Sequence, residues 1–328
     1  MATADRASDS GIHQIAEFVE AQATAPPGDR LAALRLAADE FRARFRAQAQ
    51  VRAVRTVDLE STPYPAASAF HGAARGINPW LTAINRLVVV QFEDFEGRLR
   101  TLAWRPALPS PSGRLLWRAE RHAPPPALAR VGLAPGDVDL LAVDHLEPPP
   151  SEPPSLPTPT KARLVLQRRE LDALRWKPDR LHEDRLLVVD GDVELGLGCA
   201  LMHTPGRTDG NQSLCLNTPE GIWVCSSNGV AADSWQPASS RIPGVRAWAQ
   251  ALGREAVVNA GAPVEWYESM IKEKALADVN RRDPRWLNVL PCSELAPLRR
   301  QWPVRPTFVQ GGIDCGRIAA AAVPADMS

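Results

Sequence analysis

Apolar and polar positions along the chain fall into two periods. Ile12, Ile15, Phe18 and Val19 recur at helical spacing over residues 12–23. Leu31, Leu34, Ala38, Phe41 and Phe45 step by three and four over residues 29–48, an apolar stripe along an otherwise charged helix. Asp29, just after Pro26-Pro27-Gly28, stands where it can cap that helix. Such a stripe either packs against the body of its own chain, the commoner use, or forms a homodimer contact. A second period, of two, marks strands at Val51–Leu59, Arg86–Phe92 and Leu99–Trp104, with Phe95-Glu96-Gly97 as a hairpin turn. Ala127–Val131 reads as a short helix ended by Gly132, and Leu140–Val143 as a buried strand.

The later pattern mixes both periods. Ala162–Gln167 reads as a strand and Arg169–Trp176 as a short helix. Strands are expected at Arg185–Asp190 and Val193–Thr204 around the turn Asp190-Gly191. Ser213–Asn217 and Ile222–Ser226 flank Thr218–Gly221 as a second hairpin. Helix Gly244–Leu252, strand Ala256–Ala260 and helix Pro263–Asn280 follow. Seven prolines fill the twelve residues Pro148–Pro159, and neither a helix nor a central strand survives that density. The segment reads as a stiff extended loop, either a rigid connector or a docking surface for an aromatic-lined partner. A Pro/Ser loop is expected at residues 106–113.

Composition narrows the class. The 328 residues are 45% hydrophobic and 23% charged, which suits a globular chain with a sizeable core and excludes disordered and collagen-like classes. Lys plus Arg and Asp plus Glu both number 38, so the net charge is zero and nucleic acid is not the expected partner. No apolar run approaches the roughly 18 residues of a membrane span. Met1–Gly11 is polar and unlike a secretory signal, so the expectation is a cytoplasmic protein without a membrane partner. The five cysteines are odd in number, widely spaced and lack a CxxC, which argues against disulfides or a metal site, and three of them fall in strand-like runs where a free Cys acts as a small buried hydrophobe. No GxGxxG or GxxxxGK[ST] is present, which argues against a nucleotide loop, and no GxSxG elbow marks a serine hydrolase.

Two stretches carry a resemblance. Leu133-Ala134-Pro135-Gly136-Asp137-Val138-Asp139 leads into Leu140-Leu141-Ala142-Val143-Asp144-His145-Leu146-Glu147. Further on stands Met202-His203-Thr204-Pro205-Gly206-Arg207-Thr208-Asp209-Gly210-Asn211-Gln212-Ser213-Leu214. Together they resemble the metallo-β-lactamase superfamily. There a short helix and "DVD" lead into a strand ending in HxHxDH, and a later strand ends in "HTPGHT". The resemblance spans most of residues 50–310. It implies an α+β fold, a metallo-β-lactamase-like αββα sandwich over residues 50–328 with the Pro-rich loop at 148–160. Residues 1–49 are then an N-terminal helical extension.

It also implies descent from hydrolases of esters, lactones or thioesters in which one or two ions, usually zinc, activate a water. The usual ligands are largely replaced. His145 matches the first His of HxHxDH and Glu147 stands at the second. Pro149 and Pro150 occupy the Asp and final His positions, and proline ligates nothing. Arg207 replaces the second His of "HTPGHT", a permanent cation where a metal would sit. The bridging Asp falls near Ser227 or Asn228, and the last family His, around Asn259-Ala260-Gly261, is absent.

His145 and Glu147 supply two ligands where zinc takes three as a rule. Asp144 faces away if its segment stays extended, while Asp209 is placed to reach inward. The main expectation is therefore no cofactor: a non-catalytic relative with a largely lost metal site, binding a small molecule or protein. The alternative is a hydrolase using a single zinc or other divalent metal at His145 and Glu147. Candidate site residues are His145, Glu147, Arg207, Asp209 and Asn228. Arg207 either pairs internally with Glu147 or Asp209, or receives a carboxylate or phosphate ligand. Metal-free hydrolysis would draw on Ser226, Ser227 and His145. Lys272, Glu273 and Lys274 read as a solvated helix face, and Trp266 and Tyr267 as core or groove wall.

Overall fold

A computed structural model describes residues 11–24, 27–76, 78–105, 124–146, 162–173, 185–297 and 302–320. The chain opens with strand β1 (His13–Gln14) and helices α1 (Glu17–Ala23) and α2 (Pro27–Ala47). Strands β2 (Ala53–Pro65), β3 (Trp80–Glu93) and β4 (Leu99–Arg105) form a meander, followed by α3 (Pro124–Ala129) and β5 (Leu140–Val143). Then come β6 (Arg163–Gln167), α4 (Arg168–Ala173), β7 (Leu186–Val189), β8 (Val193–Gly196), β9 (Cys199–His203), β10 (Gln212–Thr218) and β11 (Gly221–Ser226). The rest comprises α5 (Ala232–Trp235), α6 (Val245–Ala251), α7 (Val264–Leu276), β12 (Val289–Pro291), β13 (Ser293–Leu295) and β14 (Asp314–Gly316).

Two sheets face each other. One runs β1-β8-β9-β10-β11-β12; the other runs β14-β2-β3-β4-β5-β6-β7, with β13 added beside β3. Val88, Val90, Phe92, Trp104, Leu201 and Leu214 fill the space between them. The outer face of the first sheet is covered by α1, α2 and α7, through Phe18, Phe41, Phe45, Met202, Met270 and Ile271. The outer face of the second is covered by α3, where Leu128 meets Val57, Val89 and Leu141. The layers are therefore helix, sheet, sheet, helix, as the resemblance implies. The α2 stripe is used within the chain: Leu34, Ala38, Phe41 and Phe45 are all buried.

The helix that Asp29 was to cap starts earlier, at Pro27, so Asp29 lies in the first turn. Val193–Thr204 is two strands, β8 and β9. Gly198 turns the chain at φ +71°, where a Cβ would lie 2.7 Å from the Ala49 carbonyl oxygen. Ala256–Ala260 forms no strand. Its amides bond elsewhere than to a strand, Val257 N–H to Ser234 O in α5 at 2.7 Å and Ala260 N–H to Ser68 O at 2.9 Å. α7 stops at Leu276, because Ala277 is extended and the Asp278 amide donates to Ile222 in β11. β12, β13 and β14 are too short to show a period.

Cys199, Cys215, Cys225 and Cys292 are buried free thiols, as fillers should be. Among the described residues no helix is long and apolar enough to cross a membrane. The Pro/Ser loop at 106–113 and the Pro-rich loop at 148–160 lie outside the described residues.

Candidate functional site

Three loops meet where the strands of the two sheets end. The first leaves β5 as Asp144-His145-Leu146, all buried. His145 Nδ1 lies 3.1 Å from Asp144 Oδ2. Gln212, at the start of β10, ties this loop to the opposite sheet. Its amide donates to Asp144 O at 2.9 Å and its side chain to Val143 O at 2.7 Å.

The second loop, Thr204–Asn211, carries the Pro-Gly turn. It closes on itself by Thr204 N–H to Asn211 O at 2.9 Å and by the Asn211 side-chain amide to Thr204 O at 2.8 Å. Two glycines let it pack against its neighbours. A Cβ on Gly206 would lie 1.9 Å from Asn228 Oδ1, and one on Gly210 would lie 2.2 Å from Glu170 N. Arg207 is half-buried and Asp209 exposed. His203 Nε2 donates to Asp209 O at 2.7 Å, which fixes that ring's tautomer. Burial pushes the His203 imidazole's pKa down.

The third loop follows β11 as Ser226–Gly229. Asn228 is fully buried, and its amide nitrogen donates to Glu273 Oε1 at 2.7 Å and Thr204 O at 3.2 Å. Ser226 Oγ donates to Glu273 Oε1 at 2.8 Å, and Ser227 Oγ to Asn211 Oδ1 at 3.1 Å. Both hydroxyls are committed to the loop's own support. The Cys225 thiol is pushed up to about 12 by burial, so it fills the strand rather than acting as a nucleophile.

Behind these loops stands α7, and here the reading of Lys272 and Glu273 as a solvated face is wrong. Glu273 is wholly buried and Lys272 nearly so. Glu273 also accepts Ser213 Oγ at 2.8 Å and Trp235 Nε1 at 2.7 Å. Burial raises its pKa against those four donors. Lys272 Nζ donates to Asp192 Oδ1 at 2.6 Å and His203 O at 3.1 Å, and lies 4.3 Å above the Phe18 ring. Trp266 is core, and its indole N–H donates to Asn228 O at 2.8 Å. Lys274, by contrast, bonds the Glu255 carbonyl near the surface.

Glu170, at the start of α4, was not among the sequence candidates. It is buried, accepting the Leu146 amide at 2.5 Å on one oxygen and the Thr208 hydroxyl at 2.6 Å on the other. Burial raises its pKa, opposed by those two hydrogen bonds. The only sequence signal for it is indirect: two glycines four apart in the facing loop imply a close neighbour.

The structure brings His145, Arg207 and Asn228 onto adjoining loops. Asp209 lies on the outer side of its loop, and Glu147 falls outside the described residues. Among the described residues no group of three or more His, Cys, Asp or Glu converges as a metal site. The carboxylate of Glu170 and the amide of Asn228 are already engaged in internal hydrogen bonds. The described residues by themselves supply no complete set of zinc ligands.

The sandwich and its motif loops define a protein resembling the metallo-β-lactamase superfamily, in sequence and in fold. No family model matches the chain. A stretch of 98 residues is 33% identical to an N-acyl homoserine lactonase of Bacillus sp, spanning 28% of this chain and 38% of that protein. A B. thuringiensis AiiA structure with N-decanoyl-L-homoserine bound is 16% identical, covering 67% of this chain and 97% of that one, with a TM-score of 0.44. A probable metal-dependent hydrolase from Staphylococcus aureus is 11% identical, covering 69% and 84%, with a TM-score of 0.49.

Proposed function

We propose that this protein is a hydrolase of lactone or ester bonds, acting where the loops after β5, β9 and β11 meet. The observation that carries this reading is the 98-residue stretch that is 33% identical to an N-acyl homoserine lactonase. Buried His145, with the Asp144 carboxylate 3.1 Å from its Nδ1, supplies an imidazole base with a carboxylate beside it. Arg207 supplies a cation suited to the carbonyl oxygen and then to the product carboxylate. In this scheme a water oxygen bonds to the carbonyl carbon and the ring C–O bond breaks. The water's proton passes through His145 to the leaving oxygen, giving a hydroxy acid. No step is routed through a metal.

The test is ring opening of a panel of acyl and alkyl lactones, followed by chromatography, with and without added zinc. Opening above the buffer rate, lost in His145→Ala while the melting temperature holds, is the expected result. Activity that needs zinc would assign His145, with Glu147, to a metal instead. No ring or ester opening under any condition would overturn the hydrolase reading. It would favour the second one, a ligand-binding relative whose metal site is lost. That second reading is supported by Asn228, an amide tied to Glu273 and Thr204 where the family resemblance places a bridging carboxylate.

A further inference from the structure

We infer that Glu170 is a positioning residue of the candidate site, its carboxylate clamping the segment that carries His145 to the segment that carries Arg207. The inference rests on the hydrolase reading for its functional consequence, but its geometry stands by itself. Leu146, whose amide donates to Oε1 at 2.5 Å, is the residue after His145. Thr208, whose hydroxyl donates to Oε2 at 2.6 Å, is the residue after Arg207. One carboxylate thus holds the neighbour of each candidate side chain, across loops that leave different sheets.

The contact is close on the backbone side as well, since Gly210 lies where any side chain would strike Glu170 N and Cα at 2.2 and 2.5 Å. The His145 and Arg207 loops are therefore referenced to α4 and through it to each other. A water and a carbonyl must be held between a base and a cation to within a fraction of an ångström, and a rigid tie between their segments provides that. Glu170 touches neither reactant in this scheme; it acts through the two loops.

The two arms can be cut separately. Glu170→Gln weakens both, because the charge is lost: the amide oxygen is a poorer acceptor for the Leu146 N–H, and the Thr208 hydroxyl keeps only a neutral amide partner. Thr208→Val removes the hydroxyl arm and leaves the Leu146 arm. Backbone hydrogen exchange is read by mass spectrometry on peptides covering residues 144–146, 206–210 and 212–226, and hexanoate binding by calorimetry. In Glu170→Gln, exchange at Leu146 should speed up by about tenfold or more, the scale of a hydrogen bond to a charged group. In Thr208→Val, exchange at Leu146 should stay at the wild-type rate, while hexanoate affinity falls several-fold. Turnover of a medium-chain γ-lactone should drop in both variants, mainly in kcat.

The clamp is overturned if Thr208→Val leaves both hexanoate binding and turnover at wild-type values. It is equally overturned if Glu170→Gln speeds exchange uniformly across β10 and β11, the mark of a merely structural acid. Should the wild-type chain open no lactone, the hydrolase reading fails, and the exchange pattern still decides the clamp.

Discussion

Gly206 and Gly210 stand four residues apart in the loop between β9 and β10, and neither has room for a side chain. The obstacle at Gly206 is the Asn228 amide, itself locked by Glu273 and Thr204. It cannot swing aside. Gly206→Ala should therefore destabilise the protein by about 1–3 kcal/mol, the range for overpacking, visible as a lower midpoint in urea denaturation. An unchanged midpoint would mean that the loop yields. At this scale the sequence motifs single out His145 and Arg207 as candidates, while the charge pattern of α7 misplaces Lys272 and Glu273. A charged residue on a helix reads as solvated because most are. Only contact with Ser213, Ser226, Asn228 and Trp235, remote in sequence, makes Glu273 a buried hub. Glu170 escaped for the same reason, since both its partners lie more than twenty residues away.

At the scale of elements, long periodic segments were legible and short ones were not. α2, the hairpin of β3 and β4, and the hairpin of β10 and β11 lie close to where periodicity puts them. The β3–β4 turn shows why. Asp94 accepts the Arg98 and Glu96 amides on one oxygen, and the Arg98 and Arg100 guanidinium groups on the other. Burial pushes its pKa up, but those donors outweigh it and hold the carboxyl down at about 2. A depressed folded pKa contributes stability above the ordinary value of 3.8, and that stability is lost as pH falls toward about 2. Asp94→Asn should flatten the fall in melting temperature over that window. An acid limb as steep as the wild type's would assign the effect to other carboxylates. The break between β8 and β9 was missed because the apolar run continues through it. Gly198 and the Ala49 carbonyl, not hydrophobicity, decide the turn.

For the whole molecule, the N-terminal helices are part of the body's packing. Phe18, Phe41 and Phe45 lie in one apolar cluster with Met202, Met270 and Ile271. The Phe41 and Phe45 rings stack at 4.8 Å between centroids. Phe41→Ala should cost about 3–5 kcal/mol and expose the outer face of the first sheet. Both are readable from chemical denaturation and a dye that reports apolar surface. A cost below about 1 kcal/mol would mean that the helices only rest on the body. The sequence by itself determined the α+β composition, the stripe on α2, the main hairpins and the two motif segments. Each of these is written in local periodicity or in a short run of residues. The tertiary structure decided which strands pair across the sheets, that Lys272 and Glu273 lie inside, and that Glu170 joins the His145 and Arg207 loops. Those outcomes depend on desolvation and hydrogen bonding between residues far apart in the chain, and no local pattern records them.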